Sequence, residues 1–127
     1  MIQKIETDKA PKAIGPYSAG VMTQDLVFVS GQLPIHPPAG KIVETTIEGQ
    51  TRQVIDNIEA ILQAAGLSLD DVVRSEVFLQ DMGDFQKMNA VYAERFTGPV
   101  KPARQAFQVA RLPMDALVEI SCIAVRR

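Results

Sequence analysis

Glu119 is the residue of this chain most in need of an explanation. It stands in the run from Leu117 to Arg126, between Leu117 and Ser121 on a strand row that otherwise wants burial. A carboxylate in such a place costs free energy unless it is paired or put to use. Two readings stay open on the residues alone. It is either one half of an ion pair where two subunits meet, or a general acid/base whose pKa is raised by burial. Arg104, directly after Lys101, Pro102 and Ala103, carries a forked guanidinium that suits a bidentate grip on a planar carboxylate. An arginine at a strand edge is more commonly solvated or held in an ordinary salt bridge, so its weight taken singly is small.

Three further places could assist. Ile14–Gly15–Pro16–Tyr17–Ser18 sets a phenol after a Gly–Pro break, and Ser30–Gly31–Gln32 ends a strand with a residue that lets a ligand approach backbone N–H groups. Asn89, between Met88 and Ala90, fits a helix-to-loop hydrogen bond equally well. Other chemistries lack their parts. The single histidine, His36, lies in a proline-rich loop and the single cysteine, Cys122, at a buried strand position, so neither a metal cluster nor a nucleophile with its base is expected. No GxGxxG or phosphate loop calls for a nucleotide cofactor. The reading is of a site with no cofactor and no metal.

These residues must be held by something, and the hydrophobic pattern says what. Ser18–Thr23 and Leu26–Ser30, joined by Gln24–Asp25, read as a tight hairpin, and Pro34, Pro37, Pro38 and Gly40 then mark a loop. Thr45 followed by Glu48 matches a capping box, after which Ile47, Val54, Ile55, Ile58, Ile61, Leu62 and Ala65 recur at helical steps until Gly66. Val72–Gln80 alternates as a strand after a turn at Ser68–Asp71. A second helix begins near Asp84, carries Phe85, Met88, Tyr92 and Phe96 on one stripe, and ends by Gly98–Pro99. Two last strands, about Arg104–Arg111 and Leu117–Arg126, turn around Pro113 to Asp115.

This order predicts one α+β domain, a sheet with both helices on one face. In the last strand Val118, Ile120, Cys122 and Ala124 form an apolar row suited to the helices, while Leu117, Glu119, Ser121, Ile123 and Val125 form the other. Two helices cover only one face, so the second row should meet another copy of the chain, and a homo-oligomer is expected.

Composition sets the outer limits. With 127 residues, 46% apolar and 22% charged, the chain has the size and make-up of one globular domain. A net charge of −2 with scattered Lys and Arg is no footprint for nucleic acid. Met1 to Ala10 carries four charges, no apolar run reaches membrane-spanning length, and a lone cysteine suits a reducing compartment, which together point to a cytoplasmic protein without a membrane partner.

Taken together, Ile14–Gly15–Pro16–Tyr17–Ser18, Val29–Ser30–Gly31–Gln32, Asp84–Phe85 with Met88–Asn89 and Tyr92, Pro102–Ala103–Arg104, and Ala110–Arg111–Leu112–Pro113 with Val118–Glu119–Ile120 resemble the RidA (YjgF) family of reactive-intermediate deaminases. The resemblance spans nearly the whole chain. It implies a chorismate-mutase-like α+β fold, a mixed sheet with two helices on one face, assembled as a homotrimer with active sites between subunits. It also implies hydrolysis of 2-iminobutanoate, 2-iminopropanoate and their enamines to 2-oxo acids and ammonia, without metal or cofactor.

Carried over by position, Arg104 would bind the substrate carboxylate, Glu119 would orient or activate water, and Tyr17 would line the cleft beside the imine. Gly31 and the backbone at Ala106 would add hydrogen bonds, while Ser30, Leu33, Phe85, Asn89 and Pro113 would shape the pocket. Ala106 stands where many relatives have cysteine, so no thiol is required here. Ala19 replaces a frequent glutamine, which bears on substrate range. A non-catalytic 2-oxo-acid sensor using the same cleft is the alternative. A nuclease or translation inhibitor is disfavoured by the absence of a basic stripe, and a chorismate mutase by the want of further cations.

Overall fold

The computed structural model describes all residues, Met1–Arg127. Ten elements build it: β1 (Gln3–Ile5), β2 (Gly20–Met22), β3 (Leu26–Gln32), β4 (Ile35–His36), β5 (Lys41–Ile42), α1 (Ile47–Ala64), β6 (Val72–Leu79), α2 (Phe85–Arg95), β7 (Ala103–Gln108) and β8 (Val118–Val125). Six strands form one sheet in the order β1-β2-β3-β8-β6-β7, and β4 pairs only with β5. The large sheet is mixed: β6 and β7 run parallel because α2 carries the chain back between them, and its other pairings are antiparallel.

Both helices lie on one face. Val54, Ile55, Ile58, Ile61 and Leu62 of α1 are completely buried and meet Val118, Ile120 and Ala124 of β8 and Val27 of β3 in one core. Each such side chain contributes about 1.5–3 kcal/mol of burial. The apolar row expected under the helices is therefore the row found there, and β8 takes the central slot because it has the strand side most completely apolar toward them.

The opposite face is open. It carries Phe28 and Phe107, both more than two-fifths exposed, together with the half-buried Ile123, and Phe78 packs edge-on against Phe107 with ring centroids 5.4 Å apart.

Several local expectations are corrected. The last two strands do not pair with each other: β7 stands at the edge, and β6 separates it from β8. The first helix is capped one residue later than the Thr45–Glu48 pattern suggests, with Thr46 Oγ1 accepting from the Gly49 N–H at 3.0 Å. Its other end is as expected, Gly66 lying at φ +80° while Leu67 N–H donates to the Leu62 carbonyl at 2.9 Å. The proline-rich loop holds the short β4–β5 hairpin. It is anchored by the fully buried Asn57, whose Nδ2 donates to the Leu33 and Ile35 carbonyls at 3.1 and 2.9 Å. Strand β1, unforeseen in its charged stretch, pairs with β2.

Candidate active site

Arg104 lies on the helix side of β7, opposite Ser75 of β6, in a cleft of about 420 Å³ lined also by Asn89, Tyr92, Lys101 and Pro102. Its guanidinium is half-buried and packed against three residues of α2. One Nη donates to Asn89 Oδ1 at 2.6 Å, and the central carbon lies 4.7 Å from the Tyr92 ring centroid and 5.6 Å from that of Phe85. Phe85, Asn89 and Tyr92 stand at i, i+4 and i+7, so helical periodicity puts all three on one stripe facing the arginine. No carboxylate of the chain pairs with Arg104. Its second Nη and its Nε stay free for a planar acceptor. Two positions on, Ala106 shares this side of the edge strand, where one flank of the backbone has no neighbouring strand.

Glu119 lies on the other, open side of the sheet, beside Phe78 of β6. Its environment depends on a β-bulge in β3. Val29 pairs with Cys122 but Gln32 pairs with Ile120, so three steps on β3 oppose two on β8. The extra residue reverses the alternation: Val27 and Val29 point to the core, and beyond the bulge it is Gln32 that is buried. Gly31 is thereby turned toward Glu119. A methyl added there would overlap Glu119 Oε2 and sit 3.0 Å from its carboxyl carbon, so only glycine leaves room for the carboxylate in this position. Burial, with no neighbouring charge or hydrogen bond to offset it, pushes the Glu119 carboxyl above the ordinary value of 4.5.

Tyr17, Gly31 and Leu33 line one narrow pocket with Ala19 and Ile35. Ser30 supports its wall, its Oγ donating to the Ser18 carbonyl at 2.6 Å while its N–H donates to the Ala19 carbonyl at 2.9 Å. Tyr17 is 54% exposed. Pro113 is exposed in the turn before β8 and lines neither cleft; Met114 and Asp115, which follow it, both adopt left-handed backbone at φ 58° and 53°.

Within one chain these groups fall into two separate sets. Arg104 with Phe85, Asn89 and Ala106 belongs to the helix side of the sheet edge. Glu119 with Gly31 and the Tyr17–Leu33 pocket belongs to the open side. Arg104 pairs with Ser75 and Glu119 with Phe78 of the intervening strand. Two strand spacings across and three residues along put their backbones roughly 14 Å apart, on opposite faces. A single chain therefore does not bring Arg104 and Glu119 into one pocket, and the resemblance implied a site between subunits.

Sequence reasoning missed the supports. Tyr92 was legible as a member of the α2 stripe and of the family motif but with no role assigned to it, and Ser75 only as a strand residue. Asn57 did carry a signal, as an amide at helical spacing between Val54 and Ile61 on the buried face of α1. No three His, Cys, Asp or Glu side chains come together as a metal site, and no helix is long and apolar enough to cross a membrane.

Residues 7–126 match the family described as endoribonuclease L-PSP. Over 126 residues, 99% of each protein, the chain is 54% identical to a RutC family protein of Pyrococcus horikoshii. Over 129 aligned positions, covering the whole of both, it is 45% identical to the 2-iminobutanoate/2-iminopropanoate deaminase of Escherichia coli K12. The crystal structure of E. coli TdcF with bound serine superposes with a TM-score of 0.93 at 43% identity, covering 98% of this chain and 99% of that one. With motifs, fold and full-length identity in agreement, this chain belongs to the YjgF/RidA family.

Proposed function

We propose that this chain hydrolyses short-chain 2-imino and 2-enamino acids, such as 2-iminobutanoate and 2-iminopropanoate, to 2-oxo acids and ammonia. The observation that carries the proposal is the Arg104 guanidinium: oriented by Asn89 and two aromatic rings, free of any carboxylate of its own, it offers two N–H donors to the carboxylate of a small acid. Two likenesses support it: the E. coli deaminase aligns over its entire length, and TdcF holds serine, a small amino acid, on the same fold.

The site is completed by a second copy of the chain. Arg104 and Glu119 of one protomer lie on opposite sides of the sheet, and the open face is rich in exposed apolar side chains. A homotrimer would cover that face and bring the Arg104 cleft of one subunit to the Glu119 half-site of its neighbour.

In that cleft the carboxylate is held by Arg104 and the backbone at Ala106, with Tyr17 and Leu33 against the reacting end. Water held by Glu119 adds to the C=N carbon of the protonated imine, losing a proton to the carboxylate. The resulting carbinolamine takes a proton onto nitrogen, ammonia leaves, and the hydroxyl proton is released as the C=O bond forms. A carboxyl whose pKa is raised by burial suits both transfers, and fixing the substrate by its far end makes much of the gain positional. The −2 charge and scattered cations lend no support to RNA cleavage.

The test is a coupled assay in which an amino-acid dehydratase or oxidase generates the imine. Arg104→Ala should reduce the rate to the uncatalysed one, and an unchanged rate refutes the assignment. Binding of 2-oxobutanoate without turnover would assign the cleft to a sensor instead.

A further inference from the structure

We infer that Tyr92 is the platform that sets the plane of the Arg104 guanidinium, which makes it a positioning residue for the carboxylate-binding step; this rests on the function proposed above.

Tyr92 is itself unusually well held. Its hydroxyl lies 2.6 Å from Ser75 Oγ, a completely buried atom pair, and its ring stacks on Phe96 at 4.3 Å between centroids with 23° between planes. Ser75 is the residue that β6 places directly beside Arg104 of β7. The same strand pairing that positions the arginine therefore positions the hydroxyl to which the tyrosine is tied, and the ring comes to rest under the guanidinium at 4.7 Å.

A cation over an aromatic face gains about 0.5–2 kcal/mol, enough to favour one orientation of the head group. Burial holds the phenol above its ordinary value of 10.0 against the opposing pull of Ser75 and Arg104, so the ring meets the cation as a neutral phenol. Asn89, one turn earlier, fixes one Nη in that plane at 2.6 Å. The two free donors are left as a fork aimed along the remaining edge. Bidentate capture of a carboxylate requires coplanarity with that fork, whereas a single point charge does not.

The experiment is a double-mutant cycle on the full chain, read as kcat/KM for 2-iminobutanoate and as the calorimetric Kd for 2-oxobutanoate. Tyr92→Leu should lower kcat/KM and weaken binding by roughly 10- to 100-fold. The paired change Ser75→Ala with Tyr92→Phe removes the hydroxyl tie but keeps the aromatic face under the guanidinium and leaves no buried group unpaired; it should cost measurably less than Tyr92→Leu, and a loss as large as that of Tyr92→Leu would overturn the platform. In an Arg104→Lys background, where no guanidinium plane exists, Tyr92→Leu should cost less than about 3-fold. Equal losses in both backgrounds would reduce Tyr92 to a packing residue and overturn the inference, as would a Tyr92→Leu protein with wild-type constants. If Tyr92→Leu does not fold, Tyr92→Met is judged by the same criteria. Loss of activity in Arg104→Ala with none in Tyr92→Leu overturns the platform alone. Wild-type turnover in Arg104→Ala overturns the function. A wild-type chain that neither turns over the imine nor binds 2-oxobutanoate overturns both.

Discussion

Replacing Gly31 with alanine should separate what Glu119 does for the reaction from what its surroundings do for the fold. The added methyl would fall inside the contact distance of the Glu119 carboxylate, 3.0 Å from its carboxyl carbon and 3.3 Å from the carbon before it. Carbon atoms rest at about 3.5–4.0 Å, so the carboxyl must retreat by roughly 0.5–1 Å. Nothing else has to move, because the group in the way is the end of a flexible side chain and the Gly31 backbone lies outside the left-handed region, where alanine is at ease. Stability should therefore hold or rise, since alanine restricts the unfolded chain by about 0.4–1 kcal/mol relative to glycine. Activity should fall about 100-fold, the scale on which a displacement near 1 Å disturbs an aligned water. Thermal denaturation and imine turnover on one preparation read both quantities. In a Glu119→Gln background the same methyl should cost little further, which distinguishes displacement of the carboxylate from obstruction of the ligand. A Gly31→Ala enzyme within about 3-fold of the wild type would refute the idea that Glu119 acts from this position.

Two further outcomes follow from the open sheet face. The Glu119 pKa is raised in the folded protein, so the stability it contributes is fully present below its unfolded value and is lost as pH rises through the folded one. Glu119→Gln should accordingly raise Tm by about 1–2 °C at pH 8 while the difference vanishes near pH 4, with activity lost at both; a Tm gap that widens toward acid would contradict the direction of the shift. Ile123 pairs with Phe28 on the exposed apolar face, so if the proposed homotrimer forms through that face, Ile123→Asp should sediment as a monomer and lose imine turnover; a wild-type chain that is itself monomeric, or an Ile123→Asp protein with unchanged mass, would refute an interface there.

Periodicity alone located both helices and the principal strands, because each has a continuous buried stripe whose spacing is set by backbone geometry. It also made Glu119 anomalous: a carboxylate in a row of apolar residues stands out without coordinates. The short strands β1, β4 and β5 escaped because each has only two or three residues and owes its form to its partner rather than to its own pattern. The bulge at Ser30–Gly31 escaped for a related reason, since a register shift exists only between two strands. What the sequence could not show at all was the side of the sheet on which each chemical group stands. Arg104 and Glu119 look like neighbours on successive strands, yet α2 returns β7 parallel to β6 at the sheet edge while β8 enters the centre. That order depends on which faces bury the most apolar area together, a sum over contacts distant along the chain. The types and spacing of these residues were therefore legible in the sequence, and the side of the sheet on which each stands was decided by the tertiary structure.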